Sequence, residues 1–157
     1  MSKKTILLID DDTLFLMLTR KMLQDQPYLE RIDTVTTVEE ARQYFQNLEE
    51  NNNSFPDAVF IDLDMPLVSG LEMAQQLKDT ILAEHPQTKI FILSSSISQR
   101  DRQTAESLEA VTDYMEKPLS PEILKQALGL EERSIGDRKS MPANRDVEKG
   151  EKVKKQD

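Results

Sequence analysis

Hydrophobic and polar positions along this chain follow two rhythms. Three short uninterrupted apolar runs, Ile6 to Ile9, Ala58 to Ile61 and Ile90 to Leu93, are too brief for independent helices and rich in β-branched or aromatic residues. Such runs predict strands buried on both faces. Leu29 to Val35 and Thr112 to Glu116 read as two further short strands. Between them apolar residues recur at helical spacing. Thr13 to Gln24 carries Leu14, Phe15, Met17, Leu18, Met22 and Leu23 as a broad apolar face ending before Pro27, with the methionines read as core. Thr37 with Glu40 forms a capping box opening a helix whose Val38, Ala41, Phe45 and Leu48 share one side, closed by Asn51 to Ser54.

Ser69 with Glu72 caps a third helix through Leu71, Ala74, Leu77 and Ile81, which stops near His85-Pro86, and His85 is assigned no chemistry. Ser98 to Leu108 is helical but poor in apolar residues, with Ala105 and Leu108 the main inward positions, so it is expected to be held less firmly than its neighbours. Ser120 and Pro121 supply an N-cap and a first helical residue, and Gly129 the left-handed residue that ends the last helix against Leu130. Strands alternating with helices predict an α/β fold: a doubly wound five-stranded parallel sheet with right-handed crossovers.

Charge divides the chain. Residues 1 to 130 hold 12 Lys/Arg against 22 Asp/Glu, whereas 131 to 157 hold 8 against 7. An acidic body repels phosphate backbones, so no nucleic-acid partner is expected. The last 27 residues mix both charges with few apolar positions and no period, which predicts one domain over 1–130 and a disordered tail over 131–157. With no cysteine, disulfides and thiolate metal sites are excluded. The apolar segment after Lys3 and Lys4 breaks at three aspartates, so neither a signal peptide nor a membrane span is read, and a cytoplasmic protein is expected.

The chemistry collects where strands end. Ligands of open α/β sheets bind outside the carboxyl ends of the strands, and those ends carry Asp10, Asp11 and Asp12, then Asp62, then Ser94, Ser95 and Ser96, then Lys117. Adjacent strands lie about 4.8 Å apart, so Asp10, Asp11 and Asp62 crowd together if the first and third strands are neighbours. Ionised carboxylates so placed repel, and without a cation at least one pKa should rise. Asp12 is read as the cap of the first helix. Oxygen-only ligands favour Mg²⁺ over Zn²⁺. Lys117 offers a mobile point charge and Ser94 a hydroxyl to a phosphoryl group carried on Asp62, a carboxylate able to act as a nucleophile.

Four pieces in order, Ile9-Asp10-Asp11, Ile61-Asp62-Leu63-Asp64-Met65-Pro66, Leu93-Ser94-Ser95 and Tyr114-Met115-Glu116-Lys117-Pro118, resemble the receiver domains of two-component response regulators, in particular the stand-alone, chemotaxis-regulator-like kind. The resemblance spans Lys4 to about Leu130. It implies strand order 2-1-3-4-5, Asp62 as phosphoacceptor, and Mg²⁺ held by Asp10, Asp11, Asp62 and the backbone carbonyl of Asp64. It implies Ser94 as the switch hydroxyl, Tyr114 as an aromatic that turns inward, Lys117 as the phosphate-binding lysine, and secondary roles for Ser95 and Pro118, the latter after a cis peptide. It further implies a switch rather than an enzyme, a histidine kinase or histidine phosphotransfer protein as donor, and a monomer or phosphorylation-dependent dimer. Output through an unidentified protein target, or service as a phosphate sink, follows from the lack of an effector domain after Leu130. Asp64 and Ser69 depart from the commonest residues of the family, and Asp64 bears on the lifetime of the acyl phosphate. A rival reading takes Asp62-Leu63-Asp64 as the D-x-D motif of a haloacid-dehalogenase-type Mg²⁺-dependent phosphatase, with Asp62 as nucleophile and Asp64 as general acid. A third takes the chain as a degenerate receiver serving as a scaffold.

Overall fold

The computed structural model describes residues 2–95 and 98–130. Its elements are β1 (Lys4–Ile9), α1 (Thr13–Leu23), β2 (Leu29–Val35), α2 (Val38–Glu50), β3 (Ala58–Asp62), α3 (Gly70–Asp79), β4 (Lys89–Ser94), α4 (Gln99–Glu106), β5 (Asp113–Glu116) and α5 (Pro121–Ala127). The strands form one parallel sheet in the order β2-β1-β3-β4-β5, as the resemblance implied. The expected tail over 131–157, and Ser96, lie outside the described residues.

Strand alternation divides the core into two layers. Leu7, Ile9, Val59, Ile61, Ile90 and Ile92 face α2 and α3, meeting Phe45, Met73 and Leu77. Ile6, Leu8, Phe60, Phe91 and Leu93 face α1 and α5, meeting Leu16, Leu23 and Leu124. Burial on both sides is why β1, β3 and β4 read as continuous apolar runs. Consecutive aromatics of neighbouring strands, Phe60 and Phe91, stack with centroids 5.0 Å apart.

Helix ends follow local chemistry. Asp12, Thr37, Ser69, Ser98 and Ser120 each accept a bond from a backbone N–H in the first turn. The Ser69–Glu72 box is complete. The Thr37 box is only half formed, because the Glu40 carboxylate reaches one residue further back, to the Thr36 N–H at 2.7 Å and its hydroxyl at 3.0 Å. Helix α3 stops at Asp79 and not at Ile81: the Thr80 hydroxyl donates to the Gln76 carbonyl at 2.6 Å, its backbone leaves the helical region, and a 3-10 turn over Ile81–Glu84 continues to His85. At the end of α5, Gly129 adopts φ +71° while Leu130 and Gly129 donate to Lys125 and Gln126, a complete Schellman motif.

Helix α1 corrects the expected core. Its inward residues are Leu16, Thr19 and Leu23, while Leu14, Met17, Leu18 and Met22 are 40% to 58% exposed. A helix lying on a sheet buries one stripe, and the apolar residues of α1 exceed one stripe. Met17 and Met22 are therefore surface residues, although Met65 and Met73 are core. Helix α4 buries only Ala105, with Leu108 half-buried beyond its end, in keeping with its apolar-poor sequence. Among the described residues no helix is long and apolar enough to cross a membrane.

Candidate functional site

Parallel pairing of β1 with β3, Ile9 opposite Ile61, brings the residue after β1 beside the last residue of β3. Asp10 and Asp62 thereby meet, both buried, with Asp11 exposed at the rim. One carboxylate oxygen from each of the three lies within 4.8 Å of the others. Lys117 arrives from two strands away. Its backbone N–H donates to the Ser94 carbonyl at 2.8 Å, extending the β4–β5 ladder past the strand end. Its ammonium crosses to Asp10 Oδ2 at 2.8 Å and Asp62 Oδ1 at 3.0 Å. The Lys117–Pro118 peptide is cis.

Burial pushes the Asp62 carboxyl above the ordinary aspartate range; Lys117 opposes this, while Asp10 and Asp64 add to it. The direction is the one expected of the carboxylate cluster, but burial is the main cause and repulsion by Asp10 and Asp64 the lesser one. For Lys117, burial acts to lower the pKa, but the bonds to Asp10 and Asp62 outweigh it and hold the ammonium above its usual value. One cation for three carboxylates leaves the cluster negative. Its donors are all oxygen, the set suited to a hard divalent cation.

The loop after β3 is fastened at both ends. Leu63 N–H donates to Leu93 O and Gly70 N–H to Leu63 O, each at 2.8 Å. Gly70 packs directly on this backbone: a Cβ there would stand 2.3 Å from the Asp62 carbonyl oxygen and 2.9 Å from Leu63 Cα. Asp64 is exposed on the loop.

Ser94 is buried at the end of β4, with Ser95 exposed after it. Tyr114 lies opposite Ile92 on β5 and is only 4% exposed, so its ring already faces inward. Among the described residues its buried phenolic oxygen has no hydrogen bond of good geometry. Burial pushes the phenol pKa up, with the neighbouring Ser94 hydroxyl the main opposing influence. The Arg102 guanidinium of α4 lies 5.6 Å from the ring centroid.

The edge thus gathers Asp10, Asp11, Asp62 and Lys117, with Ser94 at the neighbouring strand end. Sequence reasoning missed three participants. Phe15, assigned to the core, sets its ring 4.2 Å from the Lys117 ammonium. Arg102 covers Tyr114 from a helix whose sequence pointed inward only at Ala105 and Leu108. Gly70 carries no signal in the sequence beyond its place after the Ser69 cap.

Known proteins share this fold. A two-component response regulator from Cytophaga hutchinsonii superposes with a TM-score of 0.73 at 28% identity, over 82% of this chain and 96% of that one. The response regulator TrrA from Thermotoga maritima, solved in complex with Mg²⁺-BeF, gives a TM-score of 0.61 at 28% identity over 82% and 99%. The protein-glutamate methylesterase/protein-glutamine glutaminase of Methanococcus maripaludis is 27% identical over 139 residues, 88% of this chain but 33% of that protein. The chain thus spans about a third of that relative's length, and the similarity concerns its own fold, not the longer protein's activity. The phosphatase reading is not favoured by these likenesses. The sequence itself matches the response regulator receiver domain over residues 6–129, nearly the whole of the described fold, and the chain belongs to that family.

Proposed function

We propose that this chain is the phosphoacceptor switch of a two-component phosphorelay. The observation that carries the reading is the Lys117 ammonium set between Asp10 and Asp62 with Asp11 alongside. An Asp62 carboxylate oxygen attacks phosphorus, the bond from phosphorus to the donor histidine nitrogen breaks, and the nitrogen leaves with the electron pair. Lys117 exchanges its bond to Asp62 for one to a phosphoryl oxygen, and the Ser94 hydroxyl donates to another. Asp10, Asp11, Asp62 and the Asp64 carbonyl are the groups that would hold Mg²⁺, which when bound neutralises carboxylates and phosphoryl oxygens together.

The donor docks on the exposed Leu14, Met17, Leu18 and Met22 of α1. That helix is capped by Asp12, whose N–H donates to Asp10 Oδ1 at 2.9 Å, so the apolar surface starts beside the carboxylate cluster. Phosphorylation favours the arrangement with Tyr114 inward, an equilibrium already present, and changes the surface of α4, β5 and α5. Output is by contact of residues 1–130 with another protein, or by withdrawal of phosphate from the kinase, with 131–157 as an appended tail.

Incubation with acetyl phosphate and Mg²⁺, followed by digestion and mass mapping, should place one acid-stable, hydroxylamine-labile phosphoryl group on Asp62. EDTA should abolish the labelling. A modification on another residue, or none, would sink the proposal, and turnover of a generic phosphomonoester lost in Asp64→Asn would favour the phosphatase instead.

A further inference from the structure

We propose that Phe15 is a positioning residue for Lys117: its aromatic face confines the ammonium to the space over Asp10 and Asp62, where a phosphoryl oxygen would be received. The function it serves rests on the phosphoacceptor reading, but the contact does not. Phe15 stands in the first turn of α1, half-buried against the layer formed with α5. Its backbone is fixed by the acidic loop itself. Asp10 Oδ1 accepts from Asp12 N–H at 2.9 Å, Asp12 Oδ1 accepts from Phe15 N–H at 3.1 Å, and the ring lies 4.2 Å from Lys117 Nζ, which returns to Asp10 Oδ2 at 2.8 Å. The contacts close on themselves. Asp10 therefore sets both the partner of the ammonium and, through Asp12, the aromatic wall beside it.

A lysine side chain has four rotatable methylene links and a strongly hydrated head. Two carboxylates alone would hold it by its donors and leave it free to swing toward water when Asp62 is phosphorylated. An aromatic face adds attraction for the cation through its quadrupole and removes that space. Lys117 then passes a donor from Asp62 to the phosphoryl group without leaving the site. An aliphatic residue of similar bulk fills the volume but lacks the quadrupole, so chemistry and packing separate experimentally.

The full chain would be compared as wild type, Phe15→Tyr and Phe15→Leu. Side-chain ¹³C relaxation of Lys117 in metal-free protein reports its confinement, and amide NMR near Ser94 and Tyr114 reports binding of beryllofluoride with Mg²⁺. Phe15→Leu should loosen the Lys117 methylenes and weaken beryllofluoride binding by about three- to tenfold, while Phe15→Tyr stays within about twofold of wild type. Equal ordering of Lys117 in all three proteins would overturn the inference, and so would equal losses in Phe15→Tyr and Phe15→Leu. Failure of wild type to bind beryllofluoride would refute the phosphoacceptor reading, whereas the relaxation comparison still decides whether Phe15 restrains Lys117.

Discussion

Replacing Gly70 with alanine sets a methyl group against the backbone that carries Asp62. The new Cβ would lie 2.3 Å from the Asp62 carbonyl oxygen, roughly 1 Å inside ordinary contact, and 2.9 Å from Leu63 Cα. Both neighbours are backbone, so no side chain can swing aside. That backbone is also pinned by the bonds from Leu63 to Leu93 and from Gly70 to Leu63. Alanine gains about 1 kcal/mol over glycine in helix propensity, and overpacking costs typically about 1–3 kcal/mol. With a braced backbone the upper end applies, leaving a net loss of about 1–2 kcal/mol and a fall in Tm of about 3–8 °C. Because the displaced atoms belong to Asp62, acetyl phosphate labelling should slow as well. Gly129→Ala separates strain from clash. Its φ of +71° makes alanine unfavourable by about 1–2 kcal/mol, yet none of the described residues lies within 4 Å of the added Cβ, so labelling should keep its wild-type rate. Thermal denaturation in EDTA, paired with labelling kinetics in Mg²⁺, checks both variants. A Gly70→Ala protein that melts and labels like wild type would refute the reasoning.

Asp62→Asn should stabilise the metal-free protein at pH 7. Burial raises the folded pKa of Asp62, so the folded chain holds that proton more tightly than the unfolded one. The resulting stability is present at low pH and lost as pH rises through the folded value. Melting curves should show the advantage of asparagine shrinking as pH falls through the raised folded value toward the ordinary aspartate range; a wild type that melts higher at pH 7 would contradict this. Serine at Met17 and Leu18 together, two exposed positions on α1, should change stability by less than about 1 kcal/mol. It should lower phosphotransfer from a cognate kinase at least about tenfold while leaving acetyl phosphate labelling intact, and equal transfer by both proteins would remove α1 as the docking surface. Leu67 is fully exposed with φ +73°, so Leu67→Asn should raise stability by about 0.5–1 kcal/mol, read from chemical denaturation midpoints.

Short-range patterns in the sequence specify the strands, the N-cap residues and the edge on which the chemistry lies. Apolar runs of strand length, and Asp12, Ser69 and Ser120 each bonding a few residues ahead, are short-range patterns. Once strands are parallel, residues at or just past their carboxyl ends share one edge, so strand order in the sequence already gathers Asp10, Asp62, Ser94 and Lys117. Which apolar residues of α1 face inward depends on tertiary packing, since helical spacing allowed Leu14 and Met17 as readily as Leu16 and Leu23. The choice depends on where the sheet and α5 lie against that helix. The same holds for Phe15 over Lys117 and Gly70 under the Asp62 carbonyl. Such contacts join segments far apart in the chain, or a helix start to the strand before it, through space that no periodicity describes. They are set when the sheet and its helices close on one another.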